Sequence, residues 1–479
     1  MVILGKRQRS SDCGILDLYR REVGLLSSRA FSQRARASKD LVLYLGLDRK
    51  LNKHNGCVNT VSLNENGSIL VSGSDDQMVI LWDWEVGTVR TCFHSGHKNN
   101  VFEAHIMPCT DDQTIVTSAA DGEVRLAHLR EGGQVTTELL AEHDGAIHKV
   151  AFEPRNPHVL YSAGEDGLVQ HFDLRSKNST KLFICRSFRR RTTYTSFVSL
   201  MTISLDPRNP NCLAVAGADD YARVYDIRKY KWDGSTNYGL PCENFCPPHL
   251  IHHTQGITGL SFSDSSELLV SYMNEYIYLF QKDQGLGSNP VSWLSDSYPD
   301  DNSNSVPIST SNLSQGIKVY KGHRNRKTVK GVNFYGPNCD YVVSGSDCGR
   351  IFIWRKKDGV LLRAMEGDKH VVNCIVSHPH TTMLASSGIE KDIKIWVPNT
   401  MEPFKPANLD KKDNDDNDDE DDDDDEDDEG KDLEDDDDDD SYDSDFSDCD
   451  DDTEEDVFGD NISSDDADLD YYVHFNNSP

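Results

Sequence analysis

The 479-residue sequence has no long hydrophobic run. Hydrophobic residues make up 37% of the chain, but none of their runs approaches the roughly 18 residues that a membrane span requires. The first residues, MVILGKRQRS, place a short apolar stretch before the charges, which is the reverse of a secretory signal. We therefore expect no secretory signal, no membrane span and no membrane partner.

Sequence motifs of common enzyme classes are also missing. The chain lacks the phosphate-cradling G-x-x-x-x-G-K-[ST], the zinc-hydrolase H-E-x-x-H and the nucleophile elbow G-x-S-x-G. Isolated Ser, His and Asp residues are abundant, but nothing in the linear sequence indicates a catalytic arrangement. We predict a protein that is not an enzyme and needs no cofactor.

The 12 cysteines do not form the compact pairs of a disulfide framework. They are expected to be reduced thiols, several of them buried, in a protein of the nucleus and cytoplasm. KRQR, near the N-terminus, is a short basic patch of the nuclear-localisation type. RSFRRR, further along, is basic too, but a solvated turn is favoured there over a nucleic-acid site, so no direct nucleic-acid partner is expected.

One stretch, CENFCPPHLIHH, contains residue types that bind zinc. Its candidate ligands are Cys242, Cys246, His249, His252 and His253. The two prolines and the absence of a second cysteine pair make it a poor match to known ligand spacings. We favour a loop with one or two buried thiols and predict no metal site.

The acidic charge of the chain is confined to its C-terminal part. The net charge is −33, and residues 401–479 contain 39 of the 82 acidic residues but only 4 of the 49 basic ones. The rest of the chain is close to neutral, so the overall acidity does not describe the folded body. Because an Asp-rich segment cannot bury a core, we predict that residues 401–479 form a disordered acidic tail.

The acidic tail has two open interpretations. Salt-sensitive attraction would give it basic partners such as histones, whereas the alternative is a solubilising tail without a dedicated partner. Its segment SYDSDFSDCDDD offers Ser441, Ser444 and Ser447 as candidate phosphorylation sites. Ser447 stands three residues before Asp450, which suits an acid-directed kinase.

A repeated pattern fills the region before the tail. Segments that begin at His54, His323 and His370 share an alternating run, a turn, an aliphatic run, an acidic turn and a β-rich run. These runs close on Trp82, Trp354 and Trp396. Weaker copies lie between them and bring the number of units to seven, at a spacing of about 50 residues.

Seven such units predict an all-β, seven-bladed β-propeller. One unit cannot bury both faces of its small sheet, whereas seven arranged radially can, and the ring leaves only short edges. We expect the propeller over residues 40–400, preceded by a basic, helical segment over residues 1–39. Leu41 to Leu51 is predicted to supply the outer strand of the last blade and so to close the ring.

Most units carry an acidic residue in the turn before the closing strand, and its predicted task is to accept backbone N–H groups. These residues are Asp76, Asp121, Asp166 and Asp219. Blades 5, 6 and 7 depart from the pattern with Asn274, Cys348 and Glu390.

The third and fourth units end alike, in HFDLR and VYDIR. Asp173 and Asp226 stand two residues before Arg175 and Arg228. Blade 1 has Glu85 at the matching position and blade 6 reads WRKK, so the fold itself does not require the arginine. Equivalent strand ends of neighbouring blades emerge on one face. We predict two matched guanidinium groups that form a bidentate clamp for carboxylates of a partner.

These two segments resemble the box found in WD-repeat substrate receptors of cullin-4 RING ubiquitin ligases. The box is an aliphatic pair, three small residues, a turn Asp and then aromatic–acid–aliphatic–Arg. The positions that match it are Leu160, Asp166, Phe172, Asp173 and Arg175, then Leu213, Asp219, Tyr225, Asp226 and Arg228. Longer segments such as SGHKNNVFEAHIMP and FCPPHLI resemble subgroup 8 of the damaged-DNA-binding-protein-1 and cullin-4-associated factors, in its plant type.

The resemblance implies a receptor that holds a protein target for ubiquitination while the chemistry occurs on other subunits. It also implies that Asp173, Arg175, Asp226 and Arg228 bind the damaged-DNA-binding adaptor subunit. The target itself is not implied. The alternative is a non-catalytic scaffold or histone-chaperone-like binder that acts through the acidic tail.

Receptors of this kind also dock a helix that precedes the propeller into the adaptor. The candidate here is GILDLYRREVGLLS, in which Ile15, Leu16 and Tyr19 begin an apolar stripe. The alternative is a helix packed on the propeller's own rim.

Overall fold

A computed structural model describes residues 14–403, except residues 131, 154–155, 157, 177, 188–196, 231–238, 252, 254, 289 and 291–315. Three helices come first: α1 (Gly14–Glu22), α2 (Ser28–Arg36) and α3 (Lys39–Leu43). In this part of the chain, none of the helices has the length and apolar character needed to cross a membrane. Nearly all of the predicted acidic tail, including the candidate phosphorylation sites Ser441, Ser444 and Ser447, lies outside the described residues.

The strands form seven four-stranded antiparallel sheets, six of them built from consecutive strands. The first three sheets are β2 (Val58–Leu63), β3 (Leu70–Ser74), β4 (Met78–Asp83), β5 (Thr88–His94); β6 (Val101–Ile106), β7 (Thr114–Ala119), β8 (Glu123–Leu129), β9 (Val135–Glu142); and β10 (Lys149–Phe152), β11 (Val159–Ala163), β12 (Leu168–Asp173), β13 (Asn178–Ile184).

The next three sheets follow the same order. They are β14 (Leu200–Leu205), β15 (Cys212–Gly217), β16 (Ala222–Asp226), β17 (Glu243–Phe245); β18 (Ile257–Phe262), β19 (Leu268–Tyr272), β20 (Ile277–Phe280), β21 (Lys318–Tyr320); and β22 (Val332–Tyr335), β23 (Tyr341–Ser344), β24 (Arg350–Arg355), β25 (Leu361–Glu366). The seventh sheet consists of β26 (Val372–Ser377), β27 (Leu384–Gly388), β28 (Asp392–Pro398) and β1 (Leu45–Asn52).

The sheets are arranged as a closed ring. The first strand of each sheet contacts the first strand of the next, and β26 of the seventh sheet contacts β2 of the first. The apolar side chains between neighbouring sheets are buried in separate clusters, one of which joins Val71 and Val79 of the first sheet to Ala104 and Ile115 of the second. The predicted seven-bladed β-propeller is therefore confirmed, and its core lies between the blades.

The ring is closed by strands from opposite ends of the propeller sequence. Strand β1 pairs antiparallel with β28, from Leu45 opposite Pro398 to Asn52 opposite Asp392. The predicted outer strand of the last blade is thus confirmed, although it begins at Leu45 because α3 occupies the preceding residues.

The turn acids of the first three blades belong to a buried hydrogen-bond network. In blade 1, His54 Nδ1 lies 3.0 Å from Asp76 Oδ2, and His54 Nε2 lies 2.7 Å from Ser72 Oγ. Trp82 Nε1 donates to the same Ser72 oxygen at 2.9 Å. Asp76 also accepts two backbone N–H groups, as predicted. The network recurs with its own members in blades 2 and 3: His97, Asp121 and Thr117, then His143, Asp166 and Ser162.

Blade 4 replaces this histidine network with a buried arginine. Asp219 accepts one backbone N–H, from Tyr221 at 3.4 Å. Its carboxylate is bound at both oxygens by the Arg223 guanidinium, with Nη1 at 2.7 Å from Oδ1. Arg223 is fully buried. Burial alone would lower the pKa of Arg223, but the Asp219 carboxylate outweighs it and the pKa is raised, so the pair is ionic.

The departures that the sequence shows in blades 5 to 7 each have a structural counterpart. Asn274 adopts a left-handed backbone with a φ of 57° and donates its N–H to Asn325 O at 2.7 Å. Cys348 lies beside Asp347, whose carboxylate forms a buried ion pair with Lys330. Glu390 accepts from Lys394 at 2.5 Å, so blades 6 and 7 use lysine donors where blades 1 to 3 use histidine.

Acid should destabilise the propeller through its buried histidines. His378 Nδ1 accepts the backbone N–H groups of His380 and Thr381, each at 2.9 Å, and burial lowers the pKa of His378 to about 4. In the unfolded state His378 therefore becomes protonated near pH 6.5, whereas in the native state it becomes protonated only near pH 4. We expect each such histidine to cost about 1.4 kcal/mol of unfolding free energy per pH unit in that window.

The His378→Asn variant tests this contribution. Its amide oxygen can accept the same N–H groups without titrating. Between pH 6.5 and 4 the unfolding free energy of the variant should therefore fall less steeply with decreasing pH, by the contribution of about one bound proton. Urea titrations followed by tryptophan fluorescence across that range provide the measurement. An unchanged slope in the variant would contradict the assignment.

Candidate functional site

The two aromatic–Asp–x–Arg segments occupy equivalent places in neighbouring blades. Asp173 ends β12 and Asp226 ends β16, the third strands of sheets whose first strands are in contact. In the registers, Asp173 lies opposite Val159 and Asp226 lies opposite Cys212, the first residue of each second strand. Arg175 and Arg228 therefore emerge on the same rim, where loops join first to second and third to fourth strands. We call it the clamp rim.

Each arginine is bound by its own aspartate in the same geometry. Arg175 donates from Nε to Asp173 Oδ1 at 2.9 Å and from Nη2 to Oδ2 at 2.7 Å. Arg228 makes the same two bonds to Asp226, at 2.9 and 2.7 Å. The aspartate also accepts the backbone N–H of the arginine, at 3.0 and 3.1 Å. The side chains remain 62% and 65% exposed, so the pairs orient the arginines without burying them.

This pairing modifies the expected clamp. We predicted that the bidentate fork would meet a partner's carboxylate directly, but the Nε–Nη2 edge of each guanidinium is already taken. Within the described part of the chain, the Nη1 groups of Arg175 and Arg228 have no hydrogen-bond partner. The outward edge of each planar group is thus the part that remains for an external acceptor.

The charge state of both pairs is fixed. Hydrogen bonds from Arg175 lower the pKa of Asp173 to about 2, and those from Arg228 lower the pKa of Asp226. The hydrogen bonds to these aspartates in turn raise the pKa of both arginines. The rim thus presents two ion pairs with fixed orientation throughout the physiological range of pH.

The equivalent positions of other blades form ion pairs with different partners. In blade 1, Asp83 pairs with Arg90 of the fourth strand at 2.9 Å instead of with a residue two places later. In blade 6, Arg355 ends β24 and pairs with Asp358, a residue further along the turn. The matched geometry of blades 3 and 4 is therefore a property of their sequences and not of the fold.

The N-terminal helices lie at the clamp rim. Ser32 of α2 donates to the carbonyl of His380, at 2.7 Å, in the loop between the first and second strands of blade 7. Tyr341 Oη donates to the carbonyl of Ala37 at 2.8 Å. Helix α1 is attached to α2 by the ion pair of Asp17 with Arg34, at 2.6 Å. The sequence analysis expected helix over residues 1–39 but did not identify α2 as a separate helix, whose start is marked by Ser27, the N-cap that accepts from the Ala30 N–H.

The apolar stripe of α1 is exposed. Ile15, Leu16 and Tyr19 are 85%, 50% and 59% exposed, and only Leu26, beyond the helix, is buried. The alternative of a helix packed on the propeller's own rim through these side chains is therefore not what the structure shows. An apolar helical face of this kind, rimmed by charged residues, is typical of a protein-binding surface.

Three of the five zinc candidates have separate partners. Cys246 is buried with its thiol toward the carbonyl of Pro247, and Cys242 accepts from Lys229 at 3.1 Å. His249 Nε2 lies 3.0 Å from Tyr278 Oη. His252 lies outside the described residues. Cys242 and Cys246 flank β17, the fourth strand of blade 4, so part of the predicted loop is a strand.

One other group in the described residues has the composition of a metal site, namely His97, Asp121 and Glu123. Its donor atoms are engaged, because His97 bonds Asp121 and Thr117 while Glu123 pairs with Arg125 at 2.6 Å. This group is the structural network of blade 2.

Sequence comparison agrees with the architecture. The family described as WD domain, G-beta repeat matches residues 47–83, 314–355 and 359–397, which cover strands of blades 1, 6 and 7 and the fourth strand of blade 5. Together with the seven sheets, this match makes the chain a WD-repeat β-propeller protein.

The chain is also similar to several curated proteins. It is 32% identical over 287 residues to "DDB1- and CUL4-associated factor 6" of Mus musculus, which is 57% of this chain and 32% of that protein. It is 32% identical over 295 residues to "Protein ALTERED SEED GERMINATION 2" of Arabidopsis thaliana (55% and 39%). It is 33% identical over 214 residues to "WD and tetratricopeptide repeats protein 1" of Homo sapiens (44% and 31%).

The chain is thus a WD-repeat protein homologous to the DDB1- and CUL4-associated factors, and the resemblance read from its sequence is confirmed at that level. The matches span about a third of the length of these relatives. WD-repeat propellers of this kind are typically non-catalytic scaffolds or receptors.

Proposed function

We propose that this protein is a substrate receptor of a cullin-4 RING ubiquitin ligase and is not itself an enzyme. It binds the damaged-DNA-binding adaptor through the clamp rim and presents a protein target for ubiquitination. The observation that carries the proposal is the matched pair of Arg175–Asp173 and Arg228–Asp226 ion pairs on one rim of adjacent blades.

The contacts support this function in three ways. Each arginine is held by its aspartate, so little side-chain entropy is lost when a carboxylate or carbonyl binds its free edge. The exposed apolar face of α1 offers area that a partner can bury, and aromatic and apolar anchors of this kind carry much of the binding energy at interfaces. Both elements belong to the same rim, since α2 is anchored on a loop of that rim by Ser32.

The α1 surface gives the first test. We expect the full-length chain to bind purified adaptor, and Leu16→Asp with Tyr19→Asp to weaken that binding about tenfold or more. Both side chains are exposed, so the thermal midpoint should not change. Isothermal titration calorimetry of the variant and the wild type provides the comparison.

Val86→Asp is the matched control for the α1 variant. Val86 is 67% exposed in the turn between β4 and β5, on the same rim but in blade 1, and the same apolar-to-acidic change there should leave affinity unchanged. Failure of the wild-type chain to bind adaptor at all would favour the alternative, a propeller scaffold or histone-chaperone-like binder acting through the acidic tail.

The other parts of this proposal, concerning the acidic tail and the compartment, rest on the sequence alone. The acidic tail would bind basic proteins such as histones, and the chain would work in the nucleus and cytoplasm. Phosphorylation at Ser441, Ser444 and Ser447 would make the tail still more negative.

A further inference from the structure

The rim opposite the clamp rim carries a surplus of exposed positive charge over three adjoining blades. This rim consists of the turns between second and third strands and of the loops that lead from one sheet to the next. Exposed basic side chains lie on it in blades 6, 7 and 1, namely Arg324, Arg326, Lys327, Lys369, Lys391 and Lys53. We call this surface the basic arc. The equivalent loop before blade 3 exposes Asp144, so the fold itself does not require basic residues there.

The blade 6 part of the basic arc is fixed on the turn between β23 and β24. The Asp347 carboxylate of that turn accepts the backbone N–H groups of Arg326 and Lys327. The Gly349 carbonyl of the same turn accepts the N–H of Asp368, at 2.9 Å, from the loop that carries Lys369. Hydrogen bonds therefore join the basic loop of blade 6 to that of blade 7.

The arc continues from blade 7 to blade 1. The Asp368 carboxylate accepts the Glu390 N–H at 3.1 Å and so joins the Lys369 loop to the turn that carries Lys391. Strand β1 ends opposite the start of β28. Lys53 and Lys391 are the residues just beyond these two ends, so they are neighbours across the strand pair. The six basic residues thus belong to one continuous surface.

The acidic side chains of the same loops are used inside the fold. The side chains of Asp347 and Asp368 are only 5% and 1% exposed. Asp347 forms its ion pair with the buried Lys330, and Asp368 accepts backbone N–H groups. Glu390 accepts from Lys394. The acids of these loops therefore do not offset the positive charge at the surface.

The exposed cations keep most of their charge available. Within the described part of the chain, no hydrogen bond or ion pair is formed by the side chains of Lys53, Arg326, Lys327 and Lys391. The Lys369 ammonium lies 3.7 Å from Glu390. Glu366, an exposed acid that borders these loops, lies opposite Arg350 in the register of β24 and β25. The surface is therefore suited to an external anion.

The chemistry of these loops selects the class of ligand. Single cations spread over three blades match an extended polyanion, whereas one phosphate group would need several donors at one point. Single-stranded nucleic acids are held largely by aromatic side chains on which the bases stack. The arc loops at 53–57, 321–331, 345–349, 367–371 and 389–391 contain no Phe, Tyr or Trp. Carboxylates along an extended peptide require only the cations.

We propose that the basic arc binds an extended segment, rich in Asp and Glu, of the protein that is presented for ubiquitination. The clamp rim and the basic arc lie on opposite rims, so adaptor and target can be bound at the same time. The identity of this partner as a ubiquitination target rests on the proposed function, whereas the affinity for an acidic segment does not. The attraction is electrostatic and is weakened by salt.

Fluorescence anisotropy of the full-length chain with a labelled acidic peptide tests the proposal. The peptide contains about 12 Asp and Glu residues and is about 40 Å long when extended. We expect it to bind, and to bind less tightly as salt is added. Lys327→Glu combined with Lys391→Glu should weaken the binding about tenfold or more, because two attractions become repulsions.

Lys282→Glu combined with Lys357→Glu is the matched control. Both lysines are exposed on the clamp rim, in the loops that follow the third strands of blades 5 and 6, and the change in net charge is the same. Peptide affinity should stay within about twofold of the wild type. Equal losses in the two double variants, or no binding by the wild type, would overturn the arc. Tighter binding of a single-stranded oligonucleotide of equal charge would overturn the class of ligand.

Adaptor binding separates this proposal from the proposed function. The Lys327→Glu, Lys391→Glu variant should bind adaptor as tightly as the wild type does, because its changes lie on the opposite rim. A wild-type chain that binds adaptor but not the acidic peptide would contradict the arc alone. A chain that binds the peptide but never the adaptor would contradict the receptor function and leave the arc as an acidic-segment binding surface.

Discussion

Alanine at both Arg175 and Arg228 is expected to weaken adaptor binding by about 100-fold or more. Each guanidinium presents an oriented, fully charged N–H edge, and a hydrogen bond from a charged donor contributes about 1.5–3 kcal/mol. Two such losses amount to at least 3 kcal/mol, which is a factor of more than 100 in Kd. The arginines are exposed, so the propeller should unfold at the same urea concentration as the wild type.

The controls for the double variant separate charge from geometry. Arg355→Ala removes an arginine from the clamp rim of blade 6, where it pairs with Asp358, and should leave the affinity within about threefold of the wild type. Lysine at 175 and 228 keeps the charge but not the planar fork, and should recover only part of the binding. An alanine double variant that binds as tightly as the Arg355→Ala control would exclude the clamp.

The second large effect concerns stability. Arg223→Met should lower the free energy of unfolding by about 3–5 kcal/mol, because it leaves the buried Asp219 carboxylate without its counter-ion. The guanidinium also donates to the Tyr221 carbonyl at 3.0 Å, which methionine cannot replace. Urea unfolding followed by tryptophan fluorescence measures the loss.

Combining this change with Asp219→Asn should recover most of the stability. The asparagine oxygen can still accept from the Tyr221 N–H, and no buried charge then remains. Arg90→Met is the matched control, because it breaks the exposed Arg90–Asp83 pair and should cost no more than about 1 kcal/mol. A double variant as unstable as Arg223→Met alone would show that lost packing, rather than an unpaired charge, causes the effect.

The sequence was sufficient to predict the propeller because its repeats carry the information locally. Each unit has its own turn residues and closing strand. The β-rich run at Leu45–Asn52 precedes the first unit and belongs to none of the consecutive units, which indicates that it completes the last blade. The Arg175 and Arg228 segments were also recognisable, since equivalent strand ends must share a rim. Their use as a binding site remains a prediction.

Other features could not be read from the sequence because they depend on side-chain direction. The segment VYDIR does not reveal that Asp226 accepts from the Nε–Nη2 edge of Arg228, the edge that we had predicted would bind a partner's carboxylate. Arg223 lies at a strand position where an inward charge is costly, so only the structure reveals its pairing with Asp219. The sequence also did not show β17, the fourth strand of blade 4, because its three residues are too few to give a strand pattern.

Closure of the ring by β1 and β28 has a consequence for biosynthesis. About 340 residues of chain separate these partners, so β1 leaves the ribosome long before the strand that will cover its edge exists. Until then the nascent polypeptide carries a β-strand with exposed backbone donors and acceptors, open to association with neighbouring chains. A premature stop codon anywhere before Asp392 would make that vulnerable intermediate permanent, and we expect such truncated products to aggregate or be degraded instead of forming a six-bladed ring.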